Sequence, residues 1–148
     1  MPYKDFSAKE ALGHFMGRTT RAMSRMFQNV ITHAGYDITI EQWVIIANLN
    51  RENGQFQQQL ADNTYKNKTS VTRMINALQK KGLVDRIPDP KDLRQKRIFL
   101  TKKGVQLYKK LRPLAMQVQE KATQGIEPDE MESCKNILLK IYGNIEGG

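Results

Sequence analysis

Cysteine is nearly absent from this chain. Its 148 residues include one, Cys134, which excludes an intramolecular disulfide framework and a CxxC zinc site. Histidine is scarce as well: His14 and His33 stand at a spacing that suits neither a zinc pair nor a catalytic dyad. No Gly-rich phosphate loop, HExxH or GxSxG motif occurs. The chain is therefore not expected to be an enzyme, and no motif asks for a metal or cofactor. No apolar run approaches the roughly 20 residues that cross a bilayer, and residues 1–12 lack the apolar stretch of a secretory signal. A cytoplasmic protein without a membrane partner is the expectation.

Acidic residues are missing from one stretch in particular. The chain has 24 Lys and Arg against 15 Asp and Glu, a net charge of +9. Residues 64–103 hold twelve of the bases and only three acids (Asp85, Asp89, Asp92), so this segment carries the whole excess and the remainder is neutral. Such an asymmetry points to a polyanionic partner.

Apolar spacing divides the chain into helices and one hairpin. From Lys4 to Ala34, Leu12, Phe15, Met16, Met23, Phe27, Val30 and Ile31 recur at three- and four-residue steps without an intervening proline. A helix that long, about 45 Å, exceeds what one small domain covers, so part of it is expected to pack on another chain. Gly35 ends it. Thr39 and Gln42 form a capping box for the next helix, with Ile38 placed to staple onto Trp43. After Gly54 a short helix is expected over Gln57–Asn63. Asn67 then caps a third helix running to Lys81, with Val71, Met74, Ile75 and Leu78 inward and Gly82 as its stop. Leu83–Ile87 and Lys96–Leu100 read as strands around the turn-rich Pro88–Asp92. A second long helix runs from Lys102 to about Thr123, with Pro113 expected to kink it. Gly125 ends it, and Pro128 opens the last helix, with Met131, Ile137, Leu138, Ile141 and Ile145 as its apolar stripe.

Two short helices, a basic third helix and a charged hairpin describe a winged helix-turn-helix. In that arrangement the third helix enters the major groove by its N-terminal end. The residues there are Asn67, Lys68, Thr69, Ser70, Thr72 and Arg73, of which Arg73 suits guanine and the others a base edge or phosphate. At the hairpin, Arg94, Lys96 and Arg97 suit the negative minor groove or phosphates, and Asp92 is placed to hold the turn or the Arg94 guanidinium. Lys102 and Lys103 read equally well as solvated helix residues.

These runs resemble the MarR family of bacterial transcriptional regulators. The matching pieces are Ile38–Trp43, Leu60–Ala61, Ser70–Ile75, Leu78–Val84 and Asp89–Arg94, the last continuing to Leu100–Gly104 as a D-x-R-x5-L-T signature. The resemblance implies a mainly α protein with a small β-hairpin wing, a winged helix-turn-helix flanked by long N- and C-terminal dimerisation helices. Its parts would be 1–34 (dimerisation), 35–104 (DNA binding) and 105–148 (dimerisation). It further implies a homodimer that binds double-stranded DNA at a pseudo-palindromic operator as a ligand-responsive repressor. Three positions depart from the family pattern. Thr64 and Lys66 replace apolar residues in the turn before the third helix, which makes Lys66 an additional phosphate candidate. Phe56 replaces a capping Thr or Ser.

The family's small-molecule pocket suggests an aromatic or phenolic effector held by His14, Arg18, Tyr36, Trp43 and Tyr108, although no motif fixes these positions. Trp43 as core and Arg18 as plain surface is the simpler alternative. Cys134 reads as a core thiol rather than a redox sensor. A winged-helix protein binding structured RNA or an acidic protein would carry the same charge map, and competition between duplex DNA and folded RNA separates those readings.

Overall fold

The computed structural model describes Ser7 and residues 11–147. Nine elements follow in order: α1 (Leu12–His33), α2 (Ile40–Arg51), β1 (Gln55–Phe56), α3 (Gln57–Asn63), α4 (Lys68–Lys80), β2 (Val84–Pro88), β3 (Lys96–Leu100), α5 (Lys102–Ala122) and α6 (Pro128–Glu146). The first residues of the long N-terminal helix expected from Lys4 lie outside the described residues. No helix among those described is long and apolar enough to cross a membrane.

The chain divides into two compact units, Met1–Ala115 and Met116–Gly148. In the first, α4 is the central element. Val71, Ile75 and Leu78 recur at steps of four and three, so they form one stripe along the helix, and all three are fully buried. Ile45, Ile46 and Leu49 of α2, Leu60 of α3, Val84 and Ile98 of the sheet and Leu111 of α5 complete the same core. Burying each such side chain is worth about 1.5–3 kcal/mol. Met74, expected inward, packs against this cluster and is partly buried.

Helix ends follow the local chemistry. Thr39 Oγ1 accepts from the Gln42 N–H at 3.1 Å while Gln42 Oε1 accepts from the Thr39 N–H at 3.1 Å, a complete capping box. Gln28 of α1 braces that corner by donating to Ile38 O at 3.0 Å and accepting from the Ile40 N–H at 3.2 Å. At α4, Asn67 Oδ1 accepts from the Ser70 N–H at 2.8 Å. Its far end closes with Gly82 at φ +74°, Gly82 N–H bonding Gln79 O and Leu83 N–H bonding Leu78 O, the paired bonds of a Schellman cap. α5 runs through Pro113 as one helix.

The sheet is larger than a hairpin. Its three antiparallel strands lie in the order β1-β3-β2, with Gln55 opposite Ile98 and Arg86 opposite Ile98 on the other side. Two-residue β1 has no alternation to betray it. What fixes it is Gln55, a fully buried amide that donates to Asn48 O (3.0 Å) and Glu52 O (2.7 Å) and accepts from Asn63 at 2.8 Å. The amide thereby ties the last turn of α2 to its cap: Asn48 O also accepts from the Glu52 N–H, while Glu52 O lies where intrahelical donors run out.

In the second unit, α6 buries none of its residues. Ile137, Leu138, Leu139, Tyr142 and Ile145 are all exposed, Ile145 at 73%. Cys134 is exposed too, which corrects the expected core thiol: α6 has no core to place it in within a single chain.

Gly104, in the first turn of α5, sits against the end of α4. A Cβ there would lie 2.2 Å from the Leu83 carbonyl oxygen, a backbone atom that cannot move aside. Gly104→Ala is expected to cost at least about 2 kcal/mol by the overpacking and strain this forces, read as a lower midpoint in urea unfolding.

Candidate nucleic-acid interface

α4 carries a second stripe. Thr69, Arg73, Asn76 and Lys80 follow the same steps of four, three and four, and all four are exposed. Because the Val71–Ile75–Leu78 stripe is committed to the core, this parallel row is held outward by the same burial. Lys68 and Asn67 are exposed at the helix start, and Ser70 is half-buried beside them. The absence of acids in the first turn of α4 leaves its amide dipoles uncompensated, a favourable surface for an anion. Thr72 differs from its neighbours. Its hydroxyl donates to Lys68 O at 2.9 Å and accepts from Gln57 Nε2 of α3, so it fastens the two helices together. Asn76 was not singled out from the sequence; its signal was its place three residues after Arg73, on the same face.

The turn between α3 and α4 explains two of the sequence departures. Thr64 Oγ1 donates to Leu60 O at 2.6 Å, which settles a polar residue where an apolar one is expected. Tyr65 takes φ +57°, and the bonds from Tyr65 N–H to Asp62 O and Lys66 N–H to Ala61 O repeat the Schellman geometry seen at Gly82. A left-handed residue with a side chain costs about 1–2 kcal/mol. The Tyr65 ring is 76% exposed beside the start of α4, and Lys66 is half-buried.

At the wing, Asp92 Oδ1 accepts from the Arg94 N–H at 3.1 Å and lies 3.7 Å from the Arg94 Nε, so it holds both the turn and the base of the guanidinium. The Arg94 side chain is 95% exposed. Lys96 is exposed at the start of β3. Arg97 is placed differently. It donates to Gly54 O at 3.0 Å, pairs with Asp89 at 3.4 Å, and lies 4.0 Å above the Phe56 ring. Phe56 thus gives Arg97 a cation–π platform, and its own N–H still donates to Gln59 Oε1 at 2.8 Å, the half of a capping box that needs no hydroxyl. Arg86, unmarked in the sequence, donates to Gln79 Oε1 at 2.8 Å and Thr72 O at 3.4 Å, fastening β2 to α4. Burial lowers its pKa from the usual guanidinium value.

The five residues considered for a small molecule separate into two sets. Trp43 and Tyr108 stack at 5.4 Å with an interplanar angle of 5°, Phe27 meets Trp43 edge-on at 5.8 Å, and Tyr36 packs on the same core. His14 and Arg18 are exposed on α1. At 1.5 Å per residue they lie about 20 Å and about 13 Å along the helix from Phe27. A single chain therefore does not bring them to the aromatic stack.

This arrangement of core, reading-type helix and wing agrees with three comparisons. The sequence profile described as the MarR family matches residues 38–96. The uncharacterized HTH-type transcriptional regulator YybA of Bacillus subtilis (strain 168) is 28% identical over 110 residues, 74% of this chain and 73% of that protein. The HTH-type transcriptional repressor IacR of Pseudomonas putida is 21% identical over 136 residues, 91% and 77% of the two chains. The structure of Bordetella bronchiseptica BpsR, whose DNA binding is regulated by 6-hydroxynicotinic acid, superposes with a TM-score of 0.86 at 23% identity, over 93% of this chain and 97% of that one. Residues 38–96 thus carry the pattern of the MarR family. The chain's fold is the winged-helix fold of these regulators.

Within this lobe, Arg97 and Lys96 are neighbours with separable roles. Arg97→Ala strands Asp89, which is only 8% exposed, and is expected to cost about 1–3 kcal/mol of stability. Lys96→Ala is expected to leave the unfolding midpoint within about 0.5 kcal/mol while weakening DNA binding. Paired urea melts and duplex titrations check both.

Proposed function

We propose that the protein acts in the cytoplasm as a homodimer that binds a pseudo-palindromic operator and represses transcription, with a small organic molecule modulating its grip. The observation that carries this reading is the outward stripe of α4, flanked by the wing. Arg73 is the candidate for bidentate contact with guanine and Asn76 for adenine. Thr69 and Ser70 suit a base edge or a phosphate, while Lys66, Asn67, Lys68, Arg94 and Lys96 suit the backbone. Thr72 and Arg97 support the surface from behind, and Asp92 aims Arg94.

Dimerisation is supported by the exposed apolar row of α6 and by Leu12, Phe15, Met16 and Met23 exposed on α1, since contiguous apolar surface of this kind marks an association site. The 108 residues outside the basic segment carry no net charge, so copies can meet there without repulsion. Two-fold symmetry then sets half-sites one helical turn, about 10 bp, apart. Repression fits a protein that occupies the major groove, and IacR is named a repressor. A modulating ligand is suggested by BpsR and its 6-hydroxynicotinic acid.

Selection of bound sites from random duplexes, with folded RNA as competitor, tests the reading. A two-fold symmetric site bound at least about 1,000-fold over random duplex at physiological salt supports it. Equal affinity for folded RNA overturns it. On the selected site, Arg73→Ala is expected to lose about 1–3 kcal/mol and relax preference at one base pair. Lys68→Ala should weaken all sequences alike and reduce the salt slope by about one.

A further inference from the structure

The tip of the wing carries a large apolar side chain that none of the proposed DNA contacts uses. Leu93 is 72% exposed and is not among the residues packed on the core. It stands between Asp92 and Arg94, with Lys91 and Lys96 exposed on either side. A lone exposed leucine is ordinary on a protein surface. What sets this one apart is the turn that holds it.

That turn is closed by its own bonds. The Asp89 N–H donates to Gln95 O at 2.8 Å and the Gln95 N–H to Asp92 O at 2.9 Å, while Asp92 Oδ1 accepts from the Arg94 N–H at 3.1 Å. Asp89 is buried at its base, where Arg97 pairs with it at 3.4 Å and donates onward to Gly54 O at 3.0 Å. The backbone on both sides of Leu93 is therefore fixed to the wing. A side chain presented in this way loses little conformational freedom when a partner covers it. The partner must offer anionic rims for the neighbouring cations and an apolar surface between them. The minor groove of DNA has both, since its walls are deoxyribose and its edges are phosphates.

We infer that Leu93 enters the minor groove beside Arg94 and makes the wing select for easily deformed base steps. The minor groove of B-DNA is about 6 Å wide, and the narrower groove of an A-tract suits a cation by itself. Seating a leucine next to the arginine requires the groove to open. Apolar wedges open it by partly unstacking a base step, and pyrimidine–purine steps such as TA and CA unstack most readily. Arg94 alone would favour A-tracts under the wing; Leu93 reverses that preference. This inference rests on the operator-binding reading and adds to it a preference at base pairs that no hydrogen bond reads.

The test repeats the selection from random duplexes with the wild-type protein and Leu93→Ser. Leu93→Ser is expected to leave the urea unfolding midpoint unchanged, because the bonds of the turn come from the backbone and Asp92. Wild-type sites should carry TA or CA steps at two dyad-related flanking positions, and Leu93→Ser sites the same central sequence without them. On the best wild-type duplex, Leu93→Ser should bind about tenfold more weakly at low and high salt alike, and Leu93→Met should recover most of the loss. Arg94→Ala instead reduces the salt slope by about one. The inference is overturned if Leu93→Ser binds that duplex as tightly as wild type, if it retains the flanking steps, or if its loss disappears at high salt. These results, on a duplex that the wild-type protein distinguishes from random sequence, overturn the Leu93 contact alone. A wild-type protein that makes no such distinction overturns the operator-binding reading and this contact with it.

Discussion

The burial of one helix face decides the rest of this molecule. Val71, Ile75 and Leu78 enter the core completely, and the helical period then leaves α4 no freedom about its own axis. Thr69, Arg73, Asn76 and Lys80 are turned to solvent because rotating them inward would expose three large aliphatic side chains, at about 1.5–3 kcal/mol apiece. Presentation of the polar stripe is therefore as rigid as the core. A surface that must match the edges of base pairs needs that rigidity, since misplaced donors contribute little discrimination.

A second division of labour runs through the basic residues. Lys81, Arg86, Arg97 and Lys103 are tied to the lobe by bonds to main-chain carbonyls. Lys68, Arg73, Arg94 and Lys96 are exposed. The first group joins α4 to the α1–α2 corner, to β2, and to the start of α5, and joins the wing to β1. Had all twelve cations of residues 64–103 faced outward, mutual repulsion would have worked against the compact lobe. Committing some of them to carbonyls and to Asp89 eases that cost and fixes the geometry in which the others are displayed.

Much of the fold was legible because its signals are local. The Thr39–Gln42 box, the Asn67 cap, the stop at Gly82 and the period of α4 each depend on residues a few positions apart, and each stands in the structure. What the sequence concealed is long-range. β1 exists because Ile98, 43 residues away, offers it a partner and Gln55 finds carbonyls on α2. Arg86 and Arg97 looked like two more cations in a basic run, yet their partners Thr72, Gly54 and Phe56 are brought close only by the fold. Phe56 and Thr64 looked like departures from a pattern, and each proves to have its own local solution. Cys134 was misread because apolar periodicity in α6 signals a buried face without saying whether the same chain does the burying.

The contact proposed between the outward stripe of α4 and base edges in the major groove can be measured directly. Methylation protection at guanine N7 on a selected duplex measures that contact directly, since N7 opens onto the major groove alone. Protected guanines are expected in two positions related by a dyad. Arg73→Ala should lose both, while backbone protection due to Lys68 and Lys96 persists. Guanine protection unchanged by Arg73→Ala, or protection confined to the minor groove, would contradict it.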